Sequence, residues 1–149
     1  FGGFSERSSF SWSGGHVPIF IHKILTNQEI IIHGDGSQTR SMAHVSDLVN
    51  GTLKTMFNKN SIGEVINLGN DEEMSVLDTA HLIHKMCNTG NDIKIKFIPF
   101  SEIFGNYVDI QRRRPDLVKA KNILDYEPQM KFKHAIQLVI NNIKSHLDG

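Results

Sequence analysis

The stretch IIIHGDGSQTRSMAHVSD, residues 30–47, combines an apolar run, a glycine-rich turn and a second extended run. The isoleucines predict a short buried strand that Gly34 closes. Residues 40–45 predict a second extended segment, and Ser46 is expected to be the N-cap of a helix over 47–57. This order of elements indicates an α/β fold, because a strand, a tight turn, another extended segment and a helix follow one another.

Helical and strand patterns alternate along the rest of the chain. Ser75, followed three residues later by Asp78, predicts a capped helix start. Asp116 is expected to cap the helix that follows it. Because the predicted strands are few and short, we expect a small layered unit rather than a full doubly wound sheet. Helices are predicted over 17–27, 74–88, 115–124 and 132–147, and strands over 63–70 and 93–100.

The composition excludes several classes of function. The 149 residues include 16 basic and 16 acidic side chains, and this balance argues against a general nucleic-acid or membrane-surface binder. Cys87 is the single cysteine, so no internal disulfide forms and a reducing, cytoplasmic location is expected. Residues 1–15 are rich in glycine and serine and begin with Phe1, so we expect a loop at the start of a fragment.

Common catalytic and cofactor motifs are absent from the sequence. There is no G-x-G-x-x-G, P-loop, nucleophile elbow, H-E-x-x-H or C-x-x-C. His81 and His84 are three residues apart, but no cysteine or carboxylate completes a ligand spacing, so no metal site is predicted. Cys87 is expected to be a small buried hydrophobic residue rather than a nucleophile.

The turn after the first strand is the first candidate binding site. Gly34 and Gly36 permit tight backbone geometry that exposes N–H donors to an anion. Arg40 adds a planar fork suited to phosphate. The alternative is an ordinary loop between two strands, with Arg40 paired to a surface acid.

The run DIQRRRPD, residues 109–116, is the second candidate. Consecutive arginines outside a helix form a solvated, ion-paired surface in many proteins. They also line anion sites, because guanidinium groups bind diphosphates and carboxylates strongly. The residues alone leave both interpretations open.

Three stretches, in this order and spacing, resemble one known family. The chain resembles the C-terminal portion of nucleotide-sugar epimerases, dehydratases and decarboxylases of the extended short-chain dehydrogenase class, and most of all the UDP-glucuronate decarboxylases. The likeness extends over about residues 14–146. The stretches are HGDGSQTRSMAHVSDLVNGTLKTM (33–56), GEVINLGNDEEMSVLDTAHLIHKM (63–86) and YVDIQRRRPDLVKAKNILDYEPQMKFKHAIQLVI (107–140).

The resemblance implies roles for particular residues. The first stretch corresponds to the family's nucleotide-gripping segment, in which Arg40 reaches the diphosphate. Arg113 corresponds to the decarboxylases' arginine, which binds the glucuronate carboxylate or assists proton transfer, and is thus the implied catalytic residue. The implied substrate-binding residues are Ile31, Ile32, His33, Gly34, Asp35, Gly36, Gln38, Arg40, Tyr107 and Arg113.

The resemblance also implies that substrate binding and cofactor binding belong to different parts of the protein. Residues 16–149 correspond to a small C-terminal substrate lobe with short strands and flanking helices. NAD and a Tyr-x-x-x-Lys pair belong to the family's N-terminal Rossmann domain, and neither fingerprint occurs in this sequence. The chain alone is therefore expected to bind a nucleotide sugar without redox activity. The intact parent is expected to be a homodimer formed through the missing half, and a non-catalytic binding or assembly domain is the alternative.

Overall fold

The computed structural model describes residues 15–105 and 109–147, and in them it places six helices and five short strands, so the predicted α/β class is confirmed. A 3₁₀ turn follows α2 at Lys59–Ser61. The elements are α1 (His16–Leu25), β1 (Ile30–His33), β2 (Thr39–Ser41), α2 (Val45–Phe57), β3 (Glu73–Ser75), α3 (Val76–Cys87), β4 (Ile95–Ile98), α4 (Phe100–Phe104), β5 (Arg112–Arg113), α5 (Val118–Leu124) and α6 (Phe132–Leu147).

The strands form two small sheets. β1 pairs in parallel with β4, in a register that places Ile30 opposite Ile95. β2 is the centre of the second sheet, antiparallel to β3 and parallel to β5. In that register Arg40 lies directly opposite Arg113, although 73 positions separate the two residues in the chain, since 113 minus 40 is 73.

The main core lies between β1 and helices α1, α3 and α6. Its members are apolar residues at helical spacing together with two isoleucines of β1. Cys87 is buried among them, as expected, and burial raises the pKa of its thiol to about 11. The buried members are Val17, Phe20, Ile21, Ile24, Ile30, Ile32, Val76, Ala80, Ile83, Cys87, Phe132, Ile136, Ile140 and Ile143.

A second, smaller cluster fixes α2 to the C-terminal third of the chain. Tyr126 is fully buried beside Ala120 and Leu124, and its hydroxyl donates a hydrogen bond of 2.7 Å to the carbonyl of Gly69. Gly51 of α2 lies against this ring so closely that a Cβ there would be 2.8 Å from the Tyr126 Cε2. Glycine is therefore required at this helix position for packing.

Three local predictions need correction. Residues 63–70 do not pair with any strand of the described chain. The N-cap of α2 is His44 rather than Ser46, because the His44 ring nitrogen accepts a hydrogen bond from the Ser46 N–H. Leu117 occupies the N-cap position of α5, while Asp116 accepts a hydrogen bond from the Val118 N–H and thus helps to cap the helix from one residue earlier.

Candidate functional site

The glycine turn between β1 and β2 is held by contacts within the protein. The Gly34 N–H donates to the carbonyl of Ile98 at 2.9 Å, and the Ser37 N–H and hydroxyl both donate to Asp35. These bonds from Ser37 lower the pKa of the Asp35 carboxyl. The N–H groups of Gly34 and Ser37 are therefore occupied rather than presented to an anion.

Both glycines of the turn have left-handed backbone conformations and close neighbours. Gly34 has φ of 72° and Gly36 has φ of 79°. A Cβ would lie 2.7 Å from the Phe100 ring at Gly34 and 2.9 Å from the Leu77 Cβ at Gly36. The chain thus packs closely against both glycines, and the turn leads into a strand instead of the helix of a dinucleotide-binding motif. The described residues therefore do not fit a dinucleotide at this turn.

The side chains of β1 and the turn divide between interior and surface. Ile32 is 1% exposed and Gln38 is 5% exposed, with the Gln38 amide donating to the His33 carbonyl at 2.9 Å. Ile31 is 39% exposed, and the His33 ring meets the Phe100 ring edge-on at 6.2 Å. Ile31 and His33 thus present surface, while Ile32 and Gln38 support the segment from inside.

One face of the three-stranded sheet carries an ion-pair network. Arg112 binds Glu73 through Nε and Nη2 at distances of 2.7 to 3.0 Å, and the Thr39 hydroxyl donates to the same carboxylate at 2.7 Å. The hydrogen bonds from Arg112 and Thr39 lower the pKa of Glu73 to about 2. This face is therefore already neutralised by its own charges.

The opposite face carries Arg40 and Arg113, because alternate residues of a strand point to opposite sides. Arg40 donates to Asp109 at 2.6 Å and to the carbonyls of Thr39 and Ile110 at 2.8 Å each. The pair is sheltered, with side chains 15% and 11% exposed for Arg40 and Asp109. Arg40 is thus paired with an acidic residue, which is one of the two possibilities that the sequence left open. Its three hydrogen bonds use three of the five N–H donors of the guanidinium group.

The three consecutive arginines have different environments. Arg112 is bound to Glu73, and Arg114 forms an ion pair with Asp71 at 2.8 Å. Arg113 is exposed and forms no ion pair with the described residues. The run thus forms a salt-bridged surface at Arg112 and Arg114. Arg113 lies exposed between them without an ion pair to the described residues.

His16 joins this face from the first position of α1, and the sequence analysis did not select it. Its Nε2 is buried and has no hydrogen-bond partner among residues 15–105 and 109–147, and its ring packs edge-on to Phe20 at 5.5 Å. Burial, reinforced by the positive charges of Arg40 and Arg113, lowers the pKa of His16 to about 4. A buried imidazole nitrogen without a described partner, close to two guanidinium groups, is a polar group that calls for an explanation.

We expect the neutral His16 to make folding depend on pH. Its pKa is about 4 in the folded chain and near 6.5 when unfolded, so the unfolded state binds more protons between these values. The free energy of unfolding should fall by about 2 kcal/mol from about pH 7.5 to about pH 5 on account of this group. Urea unfolding of the wild type and of His16→Gln measures the difference, and an equal pH dependence in both would contradict it.

Two cavities lie beside the second sheet. The larger, about 890 Å³, is lined by Arg112 and Arg114, which are both bound to carboxylates. The smaller, about 610 Å³, lies between the end of β2, the start of α2 and residues 67–70, and Arg113 lines it. We regard the smaller cavity as the candidate site because Arg113, which lines it, forms no ion pair within the described part of the chain.

Some of the expected features lie outside this arrangement or outside the described residues. Tyr107 lies outside the described residues, so its contact with the nucleotide sugar stays a prediction. Within residues 15–105 and 109–147, no group of three His, Cys, Asp or Glu side chains is arranged to hold a metal ion. No helix in the same ranges has the length and apolar character needed to cross a membrane.

Comparison with known proteins agrees with the resemblance seen in the sequence. The chain is 32% identical over 127 residues to UDP-N-acetyl-alpha-D-glucosaminuronate decarboxylase of Bacillus cytotoxicus, covering 85% of this chain and 39% of that protein. It is 36% identical over 135 residues to UDP-glucuronic acid decarboxylase 1 of Danio rerio, covering 91% of this chain and 30% of that protein.

A solved structure supports the same relationship. UDP-glucuronic acid 4-epimerase of Bacillus cereus, determined in complex with NAD, superposes with a TM-score of 0.74 at 26% identity, covering 89% of this chain and 40% of that one. The chain thus spans well under half the length of each of these proteins. Residues 4–139 match the family described as GDP-mannose 4,6 dehydratase. The chain therefore belongs to the GDP-mannose 4,6 dehydratase family.

Proposed function

We propose that residues 16–149 bind the diphosphate of a UDP- or dTDP-sugar, as the substrate lobe of an NAD-dependent enzyme that modifies the sugar. One observation carries the proposal. Arg40 and Arg113 lie opposite each other on one face of the second sheet, and Arg113 forms no ion pair with the described residues. Arg113 has no counter-charge among the described residues, and Arg40 keeps guanidinium donors beyond those in its three bonds, so this face suits a substrate that carries both a diphosphate and a carboxylate.

The chemistry of the site suits a diphosphate. Arg40 is fixed by Asp109 and retains donors beyond those used in its three described bonds. We propose the Nε2 of His16, which has no hydrogen-bond partner in the described part of the chain, as a further polar contact for this anion. A bound phosphate would also raise the pKa of His16 by its negative charge, so that the imidazole becomes a better donor as the ligand binds.

The neighbouring turn is proposed to receive the nucleoside. Ile31 and His33 present surface along β1, and we assign the base and ribose to these side chains and to the backbone of Gly34. Asp35 and Gly36 shape the turn beside them. Ile32 and Gln38 support the segment from inside, and Tyr107 remains assigned to the nucleotide sugar by resemblance.

The reaction is proposed to be decarboxylation of a uronic acid sugar. Both curated relatives above are named as decarboxylases of uronic acid nucleotides. We assign the substrate carboxylate to Arg113, and epimerisation or dehydration are the alternatives within the family. NAD, which accepts hydride from the sugar in such enzymes, is assigned to a part of the parent outside residues 16–149. The parent is proposed to be a cytoplasmic homodimer joined through that part.

A titration of the chain with nucleotides tests the proposal. Isothermal calorimetry should detect binding of UDP and UDP-glucuronate, and weaker binding of uridine, which lacks the diphosphate. Equal affinity for uridine and UDP would contradict a diphosphate site. Product analysis of the parent with UDP-glucuronate, UDP-glucose and dTDP-glucose then identifies the reaction. Binding without turnover in the parent would instead support a non-catalytic nucleotide-sugar or assembly domain.

Arg113→Ala should remove any preference for a uronic acid sugar. We expect the affinity for UDP-glucuronate to fall about tenfold more than the affinity for UDP-glucose, because a charge-assisted bond to the carboxylate is lost. Arg112→Ala is the matched control, since Arg112 is committed to Glu73 on the other face of the sheet. A similar loss of preference in both variants would contradict the role of Arg113.

A further inference from the structure

Asn70 has a side-chain hydrogen-bond donor that the described protein does not use. The residue is 6% exposed, and its Oδ1 accepts a hydrogen bond from the Glu72 N–H at 2.8 Å. This bond forms an Asx turn, which fixes the orientation of the amide and directs Nδ2 away from the Glu72 N–H. Nδ2 forms no hydrogen bond with residues 15–105 and 109–147, and it is not fully enclosed. A nearly buried amide with one unused donor calls for a partner.

The backbone on both sides of this amide is held in place. The Tyr126 hydroxyl donates to the Gly69 carbonyl at 2.7 Å, and the Ser41 hydroxyl donates to the Asn70 carbonyl. A Cβ at Gly69 would lie 3.2 Å from the Pro115 Cγ, so this segment lies against the residues that follow β5. The Nδ2 donor is therefore positioned before any ligand binds, which lowers the entropy that binding costs.

Asn70 and Arg113 line the same 610 Å³ cavity. Arg113 supplies a guanidinium without an ion pair to the described residues, and Asn70 supplies a neutral donor. Arg40, to which the diphosphate is assigned, is not among the described residues that line this cavity. The cavity is thus available for the sugar end of the substrate, and its two unused donors belong to different segments of the chain.

We propose that Asn70 determines specificity for a uronic acid sugar, with its Nδ2 donating to one oxygen of the substrate carboxylate while Arg113 binds the other. The proposal rests on the proposed function, which places a uronic acid nucleotide in this site. A carboxylate has two acceptor oxygens, and removing it from water is costly unless both find donors. A neutral sugar has a hydroxyl in place of the carboxylate and gains less from this pair of donors.

Asn70→Asp separates this role from a purely structural one. Aspartate has the same size and keeps the oxygen that accepts from the Glu72 N–H, but it replaces the Nδ2 donor by a second carboxylate oxygen. A structural residue would tolerate this change. Under the proposal, the ratio of the affinities for UDP-glucuronate and UDP-glucose should fall at least about a hundredfold, because the new carboxylate repels that of the substrate and pairs with Arg113.

Asn141→Asp is the matched control for the added charge. Asn141 is exposed on α6, and its Oδ1 accepts from the Gln137 Nε2 at 2.9 Å, so the substitution again keeps an accepting oxygen and adds one negative charge. It should leave the affinity ratio within about twofold of the wild type, because an exposed charge away from the cavity is screened by salt. An equal decrease in both variants would overturn the proposal.

Asn70→Ser removes the donor without adding a charge. Serine can also form the turn, so the chain should stay folded in circular dichroism. We expect the affinity ratio to fall about tenfold, while the affinity for UDP stays within about threefold of the wild type. A folded Asn70→Ser variant with the wild-type ratio would overturn the proposal, whatever the stability of Asn70→Asp.

The side-chain amide signals of Asn70 report the contact directly. The Nδ2 proton pair in a ¹H–¹⁵N spectrum is assigned by its loss in Asn70→Asp. These signals should move downfield on addition of UDP-glucuronate and much less on addition of UDP-glucose, because only the first ligand places a charged acceptor at the donor. Equal movement with both ligands, or none with either at saturation, would overturn the proposal.

The same titrations distinguish failure of this proposal from failure of the proposed function. A wild-type chain that binds UDP but does not prefer UDP-glucuronate to UDP-glucose would overturn the carboxylate contact of Asn70 and leave the diphosphate site intact. A chain that binds neither UDP nor the two nucleotide sugars would contradict the proposed function, and the assignment of Asn70 would be lost with it.

Discussion

Arg40→Ala is expected to lower the free energy of unfolding by about 3 kcal/mol and the affinity for UDP by roughly 30-fold. The first effect follows because Asp109, whose side chain is 11% exposed, loses the cation that binds it at 2.6 Å. The second follows because the variant lacks a charge-assisted contact to the diphosphate. Urea unfolding measures the first effect, and calorimetry well below the unfolding midpoint measures the second.

Asp109→Asn distinguishes the two roles of Arg40. This variant removes the ion pair but keeps the guanidinium, so stability should decrease while UDP affinity is retained. Arg40→Lys keeps the charge without the planar fork, and we expect it to recover part of the UDP affinity and little of the stability. If Asp109→Asn weakened UDP binding as much as Arg40→Ala, the arginine would be a structural residue only, and the diphosphate assignment would be lost.

Local features of the structure could be predicted well from the sequence. The Ser75 hydroxyl accepts from the Asp78 N–H at 2.9 Å, as the capping pattern predicts, and α6 covers residues 132–147 as its periodicity predicts. These features depend on residues within a few positions of one another. The error at Ser46 is of the same kind, because the His44 ring accepts a hydrogen bond from the Ser46 N–H and the helix therefore begins two residues earlier than predicted.

The pairing of distant segments could not be predicted from local patterns. Arg40 meets Asp109 and Arg113 only because β2 lies beside β5, and nothing in the periodicity of either strand specifies that neighbour. The different environments of the three arginines depend on the same pairing of β2 with β5. Because alternate residues of a strand point to opposite faces, Arg112 faces Glu73 and Arg113 points away from it. His16 could not be predicted as part of the site for the same reason. A single histidine at the start of a helix indicates no function until the fold brings Arg40 and Arg113 near it.

Residues 63–70 show the converse case. Their sequence predicts a strand, and their alternation of packed and exposed side chains is that of a strand, but the described chain offers no partner. The pattern indicates a preference for strand pairing that the described residues do not satisfy.

Tyr126→Ala is expected to lower the free energy of unfolding by about 4 kcal/mol and to loosen α2 and residues 64–69 selectively. The ring fills the space between α2, Leu68 and α5, and its hydroxyl holds the Gly69 carbonyl at 2.7 Å. Because the main core shares no buried residue with this cluster, α1, α3 and α6 should keep their hydrogen-exchange protection while α2 and residues 64–69 lose theirs.

Tyr126→Phe separates packing from hydrogen bonding in the same cluster. It keeps the ring and removes only the bond to Gly69, so the loss should be about 1 kcal/mol and α2 should remain protected. Ile83→Ala is the matched control in the main core, where a cavity of comparable cost should expose α3 before α2. Equal loss of protection across both clusters in Tyr126→Ala would mean that they unfold as one unit and would contradict the prediction.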